Sequence, residues 1–299
     1  MHAKALMDDI SLAGLVNNIA QTDGDYDTPI PALMIYRRSS ATDPMPCIYG
    51  LGLGITVQGG KRVTLGDELF DYGPGQSLIT TVDLPVVSYV TRASVSEPYL
   101  GVRLELDARI ISQLAAEIDF SSPLKESSSP AISVVALDQG LLDAVIRLIQ
   151  LLSEPSLMIP QIAPLIQKEI AVRLLNGQHG PTLRHLVALG SPNQQIAKVM
   201  SWLKLNFAAE VSMDDLAAKA HMSPSTFRQH FRKIGGMSPL QYLKNLRLQE
   251  ARQQMMNGNL DAGSAALRVG YESASQFSRE YSRLFGEPPH RDIMRMKEV

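Results

Sequence analysis

The stretch FRQHFRKIGGMSPLQY, from Phe227 to Tyr242, returns fifty residues later as FSREYSRLFGEPPHRD, from Phe277 to Asp292. In that register Phe227 answers to Phe277, Phe231 to Tyr281, Lys233 to Arg283, Ile234 to Leu284, Gly236 to Gly286 and Pro239 to Pro289. Ser223 and Ser273 stand four residues ahead of the two copies. A chain that repeats apolar, glycine and proline positions at one spacing builds one supersecondary unit twice, and any reading of the fold has to accommodate that.

Each copy specifies a short helix with both ends marked. Ser223 is a natural N-cap with Pro224 at the first helical position, and Gly235-Gly236 stops the helix before the next cap and proline, Ser238-Pro239. Phe227, Phe231 and Ile234 share one face, while Ser225, Arg228, Gln229 and Arg232 follow helical spacing along another. Upstream, Ser212 followed by Asp215 is a capping box that opens the helix of DDLAAKAH, a tight turn before the Phe227 helix. Two short helices joined by a turn predict a helix-turn-helix, and the second copy rebuilds the free stripe as Ser275, Ser278, Arg279 and Ser282. A longer helix from Ser238 to about Asn257-Gly258 joins the units, an arrangement that predicts two recognition helices in successive major grooves, about 34 Å apart.

The net charge of −2 hides an asymmetry. After residue 190 there are 15 Lys and Arg against 10 Asp and Glu, and before it 13 against 20. The positive half carries the repeats, which favours approach to phosphates and a salt-dependent affinity. Base-edge candidates are Ser225, Arg228 and Gln229 in the first copy and Ala274, Ser275, Ser278 and Arg279 in the second. Arginine matches guanine O6 and N7, and glutamine matches adenine N6 and N7. A solvated helix face has the same composition, and the repeat decides for contact. Arg232, Lys233, Lys244, Arg247 and Arg283 are candidate phosphate partners, positioning the domain without reading sequence.

The other half is patterned for strands. From Cys47 to Val57 the odd positions are apolar and the even ones mostly glycine, which predicts one strand. Turn signals at Gly59-Gly60, Gly66-Asp67 and Gly73-Pro74-Gly75 follow, giving about seven strands before Asp107 in a small antiparallel barrel or sandwich. Helical patterns cover about 107–118, 138–153 and 161–176. The second is apolar on more than one side, so it packs against the barrel or against the same helix of a second copy, a possible homodimer. Tyr36, Tyr49, Tyr89 and Arg103 are candidates to line an effector pocket, with core tyrosines and a surface arginine as the plainer alternative. Cys47, the only cysteine, falls on the apolar side of its strand and reads as a buried structural thiol. The serine-rich ESSSP at 126–130 lacks the G-x-S-x-G context of a nucleophile and reads as a loop.

The paired units, each with Gly-x-x-Pro after its recognition helix, together with LRLQEAR and VGYESASQFSREYSRLFGEPP, resemble the C-terminal domain of the AraC/XylS family of bacterial transcription regulators over about 195–293. QGGKRVTLGDELFDYGPGQSLITTVDLPV and EPYLGVRLELD resemble the sensor domain of an AraC-type subgroup over about 25–180. The resemblance implies an α+β chain. A cupin-like β-barrel with packed helices, residues 1–190, senses a small-molecule effector, and an all-α domain with two helix-turn-helix motifs and a linker helix, residues 191–299, binds double-stranded promoter DNA. It also implies an activator rather than a repressor, with RNA polymerase as a partner.

Departures from the family pattern are Ala262, Gly263 and Ala265 where bulky aliphatics are usual, and the series Gly50, Gly52, Gly54 in the first barrel strand. The former leave the second motif less rigid; the latter opens ligand space or admits close packing. A small-molecule-binding or enzymatic cupin barrel with a decayed, non-functional helix pair is the alternative. Since no histidine lies between His2 and His179, the His-rich metal set of such an enzyme is not available, and neither metal nor cofactor is expected. The start MHAKALMDDISLAGL lacks the pattern of a signal peptide and no apolar run reaches the ~18 residues of a membrane span, so a cytoplasmic protein away from membranes is expected.

Overall fold

A computed structural model describes residues 11–118, 130–258 and 260–297. The serine-rich loop expected at 126–130 lies, apart from Pro130, outside the described residues. The strands are β1 Gly24–Asp27, β2 Leu33–Arg38, β3 Met45–Tyr49, β4 Gly52–Gln58, β5 Gly60–Leu65, β6 Glu68–Tyr72, β7 Gln76–Thr80, β8 Leu84–Arg92, β9 Tyr99–Glu105 and β10 Ile132–Ala136. They form a six-stranded sheet in the order β1-β2-β9-β4-β7-β10 and a four-stranded sheet in the order β3-β8-β5-β6, with every described pairing antiparallel. The two sheets line a common cavity.

The single strand expected from Cys47 to Val57 is two strands in different sheets. The chain leaves β3 at Tyr49, turns through Gly50 and Leu51, and enters β4 at Gly52. Apolar alternation continued through the crossing because both strands are half-buried, and the glycines mark where it happens. They also admit close packing: a Cβ on Gly54 would lie 3.4 Å from the Tyr72 hydroxyl, and one on Gly52 only 3.0 Å from the Leu104 carbonyl oxygen.

Helices α1 Leu12–Ile19, α2 Ala108–Glu117, α3 Gln139–Gln150, α4 Ile159–Asn176 and α5 Gly180–Val187 accompany the barrel. Leu141, Ala144, Val145, Leu148 and Ile149 of α3 join a core with Ile166 and Ile170 of α4, Val16 of α1, and Ile35, Ile55 and Val102 of the six-stranded sheet. The α3 face is therefore covered within one chain and needs no second copy to be buried. No helix among the described residues is long and apolar enough to cross a membrane.

The remaining helices are α6 Pro192–Leu205, α7 Met213–Lys219, α8 Pro224–Gly235, α9 Pro239–Gly258, α10 Ala262–Arg268, α11 Ala274–Phe285 and α12 Pro289–Lys297. Ser223 and Ser273 cap α8 and α11 by accepting the N–H of Thr226 and Gln276 at 3.3 and 3.2 Å. Both helices end on a left-handed glycine, Gly236 with φ 70° and Gly286 with φ 81°. Gly263 sits in the first turn of α10, where Asp261 accepts its N–H at 2.9 Å, so the helix forms despite the small residues.

Two apolar cores serve the two units. The first unit shares its core with the barrel: Phe227, Phe231, Ile234 and Tyr242 belong to one cluster with Val63, Leu65, Leu84 and Val86. Phe277, Tyr281 and Phe285 instead form a separate cluster with Ala265, Leu248 and Ile293. Polar contacts reinforce the first junction. Tyr242 donates its hydroxyl to the Asp83 carbonyl at 2.8 Å, Lys204 pairs with the Asp83 carboxylate at 2.7 Å, and Ala131 N–H donates to the Ile234 carbonyl at 3.3 Å.

A buried histidine staples the barrel to its helices. His179, 2% exposed, bonds Ser77 on β7 through Nε2 at 2.9 Å and Ser133 on β10 through Nδ1 at 2.8 Å. Burial lowers its pKa from 6.5 to about 4. The unfolded chain therefore takes up the proton near 6.5 while the folded chain resists until about 4. The stability this neutral imidazole contributes is complete above the higher value and declines as pH falls through that window. From pH 7 to pH 5 we expect a loss of about 2 kcal/mol in urea unfolding from this group. His179→Gln should flatten that slope; an unchanged slope would contradict the assignment.

Candidate nucleic-acid interface and barrel cavity

Amphipathic α8 and α11 bury Phe227, Phe231 and Ile234, and Phe277, Tyr281 and Phe285, which turns the opposite stripe of each outward. Ser225, Arg228, Gln229, Arg232 and Lys233 are all exposed on α8, as are Ala274, Ser275, Arg279 and Arg283 on α11, with Ser278 half-buried. Arg228, Gln229, Arg279, Lys233 and Arg283 have no side-chain hydrogen bond or ion pair among the described residues. Such side chains keep their donors for an outside acceptor. Ser225 differs, its hydroxyl lying 3.1 Å from that of the capping Ser223.

Two of the expected phosphate partners are engaged inside the domain. Arg247 on α9 donates to the carbonyls of Phe207 at 2.7 Å, Ala209 at 3.0 Å and Gly270 at 3.1 Å, tying the ends of α6 and α10 to the linker helix. Lys244 pairs with Glu280 at 2.9 Å, and Glu280 also accepts from Tyr271 at 2.8 Å and Gln276 at 3.1 Å. These contacts fix how α11 sits on α9. Sequence spacing ranks a lysine or arginine by its face, and α9 is buried on several sides, so its basic residues meet carbonyls and a carboxylate first.

The second unit also holds a buried ion pair that the sequence reading did not single out. Arg252 donates through Nε and Nη2 to the Asp292 carboxylate, both at 2.8 Å, and Tyr281 donates to it at 2.7 Å. The Arg252 guanidinium lies 4.4 Å from the Phe285 ring centroid. The repeat offered a signal: Tyr281 and Asp292 stand where the first copy has Phe231 and Tyr242, whose rings meet edge-on at 5.4 Å.

Between the sheets lies a cavity of about 360 Å³. The structure brings Tyr36, Tyr49, Tyr89 and Arg103 together on its wall, with Lys61, Tyr72, Tyr99, Cys47 and the apolar Leu78, Val90 and Val102. Lys61 was missed, although its parity on β5 with Val63 and Leu65 points it inward. Its ammonium lies 5.5 Å from the ring centroids of Tyr36 and Tyr49 and 5.8 Å from that of Tyr99. Burial pushes the Cys47 thiol pKa up, so it stays protonated and weakly nucleophilic.

Comparison with known proteins places these features. Residues 29–182 match the family model described as the AraC-type transcriptional regulator N-terminus, and residues 216–293 match a helix-turn-helix domain model. The chain is 28% identical over 100 residues to the HTH-type transcriptional activator RhaS of Pectobacterium carotovorum, covering 33% of this chain and 36% of that protein. It is 27% identical over 162 residues to XylDLEGF operon transcriptional activator 1 of Pseudomonas putida, covering 52% and 48%. The chain thus spans about half or less of the length of the curated relatives it matches. Among solved structures, unsaturated fatty acid bound wild-type ToxT from Vibrio cholerae has the same fold at 9% identity, with a TM-score of 0.57 over 87% of this chain and 94% of that one.

Proposed function

The chain belongs to the AraC-type family of transcriptional regulators, and from that premise we propose that it is a sequence-specific DNA-binding activator whose grip on promoter DNA is set by a small molecule in the barrel. Residues 1–190 act as the sensor and 191–299 as the DNA-binding part, within the bacterial cytoplasm. The observation that carries this reading is the pair of outward stripes on α8 and α11, with their arginines and glutamine unengaged among the described residues. Arg228, Gln229 and Arg279 read base edges, assisted by Ser225, Ala274, Ser275 and Ser278; Arg232, Lys233 and Arg283 hold phosphates. Lys244 and Arg247 position the units through the contacts described above. RNA polymerase is the partner implied by the activator relatives.

The barrel serves binding rather than turnover in this reading. Its wall is built of tyrosines, aliphatic side chains, three basic residues (Arg38, Lys61 and Arg103) and the carboxylates of Asp25 and Asp43, which suits recognition of a small molecule.

Arg228→Ala tests the DNA half of the reading. On a site selected by the full chain, the variant is expected to lose about 1–3 kcal/mol of binding and to stop discriminating at one base pair. Titrations against a panel of single-base variants of the site measure both. An unchanged base preference in the variant would remove Arg228 from the readout.

A further inference from the structure

The cavity wall carries a lysine, Lys61, that no carboxylate among the described residues pairs. Arg38, Arg62 and Arg103 each pair with a carboxylate, Asp25, Asp71 and Glu105 respectively. Lys61 has no ion-pair partner among the described residues, and its ammonium faces the rings of Tyr36, Tyr49 and Tyr99; of the carboxylates on the same wall, Asp25 is taken by Arg38, which leaves Asp43. An enclosed cation is costly unless an anion meets it. Arg103 lies nearby, its guanidinium 5.6 Å from the same Tyr49 ring that faces Lys61.

Arg103 also lines a second cavity, of about 270 Å³, between the barrel and the helices, together with Asp83, Lys204 and Glu250. Arg103 and Asp83 come near each other beside Gly50: a Cβ there would lie 3.2 Å from an Asp83 carboxylate oxygen and 3.9 Å from an Arg103 nitrogen. Asp83 in turn holds Lys204 of α6 and, through its carbonyl, Tyr242 of α9. The Tyr242 ring packs edge-on against Phe231 of the first recognition helix.

We propose that the barrel cavity binds a small monocarboxylic acid, its carboxylate on Lys61 and Arg103 and its apolar body along Leu78, Val90 and Val102. Arg103, drawn to the ligand, then changes the charge facing Asp83, so that occupancy alters how the barrel holds the first helix-turn-helix unit. The inference rests on reading the barrel as the sensor. It requires the acid to bind the two arrangements of the junction with different affinity.

The test uses the full chain and a panel of benzoate, phenylacetate, hexanoate and octanoate, each beside its neutral primary amide. Binding is read by calorimetry, and DNA affinity is measured with and without each acid. At least one acid should bind while its amide does not, and Lys61→Met should weaken that acid at least about tenfold. Asp83→Asn, outside the cavity, should leave acid affinity nearly unchanged while abolishing an acid-dependent shift in DNA affinity of about fivefold or more. Should Lys61→Met fail to fold, the discrimination between acid and amide by the unaltered chain remains decisive. Equal binding of amides and acids, or no binding by any of the four acids, overturns the ligand class. Retention of the shift in Asp83→Asn overturns the route. Selection of a DNA site by the ligand-free chain is independent of all these outcomes, so the regulator reading stands or falls separately.

Discussion

Asp292→Ala is expected to cost the second helix-turn-helix unit about 3–5 kcal/mol, because it leaves the Arg252 guanidinium buried without its counter-charge. Asp292 is 0% exposed and Arg252 8%, so water can do little to replace the lost counter-charge. The Tyr281 hydroxyl loses its acceptor at the same time, adding a buried unsatisfied donor. Since this cluster is separate from the core shared by the barrel and the first unit, the damage should be local. Hydrogen exchange would show lost protection over α11 and α12 while the barrel strands keep theirs. The double variant Arg252→Met with Asp292→Leu should recover most of the loss, since apolar packing can replace a buried pair. Wild-type protection in Asp292→Ala would mean that the ion pair is not what holds this unit.

Phe231→Ala carries an equally large expected cost, about 3–5 kcal/mol, with a different distribution. Phe231 is 0% exposed and lies between Phe227 and Tyr242, at centroid distances of 5.5 and 5.4 Å. Its cluster runs on into Leu65, Leu84 and Val86 of the barrel. Gly66 at the β5–β6 turn also abuts the Gly236 cap of α8 so closely that neither has room for a Cβ. A cavity at Phe231 should therefore lower the unfolding midpoint of the barrel and the first unit together. Trp202 on α6, packed against this cluster, is the fluorescence reporter, and circular dichroism follows the strands. Separate transitions, with the barrel unaffected, would contradict the shared core.

The C-terminal elements were legible because their signals are local. A serine cap, an in-facing aromatic pair and a left-handed glycine each act within a few residues, and the repeat supplied a second copy to check against. The α+β class and the three expected barrel helices rested on periodicity over long segments and are present. The barrel was harder because its facts are non-local. Whether Cys47 and Leu53 belong to one strand depends on which neighbours they pair with, and β3 pairs with β8 while β4 pairs with β9 and β7. The four-residue β1, GDYD, carries too little apolar alternation to stand out from a loop.

The same distinction divides the site. Helical spacing identified the α8 and α11 stripes, and Tyr36, Tyr49, Tyr89 and Arg103 do line one cavity. Lys61 was passed over because a lysine between glycine and arginine reads as surface; only its strand parity places it inside. Arg247 and Lys244 look outward-facing by spacing alone, because their carbonyl acceptors and Glu280 arrive from elements distant in sequence. Arg252 and Asp292 are forty residues apart, and no local pattern joins them.

The most direct measurement is to select binding sites from random duplex DNA with the full-length chain and to titrate the winner against scrambled DNA across a salt series. A two-unit reader predicts a site with two elements about one helical turn apart, bound far more tightly than scrambled DNA, with salt affecting both. No enrichment, or salt-sensitive binding equal for every sequence, would contradict it.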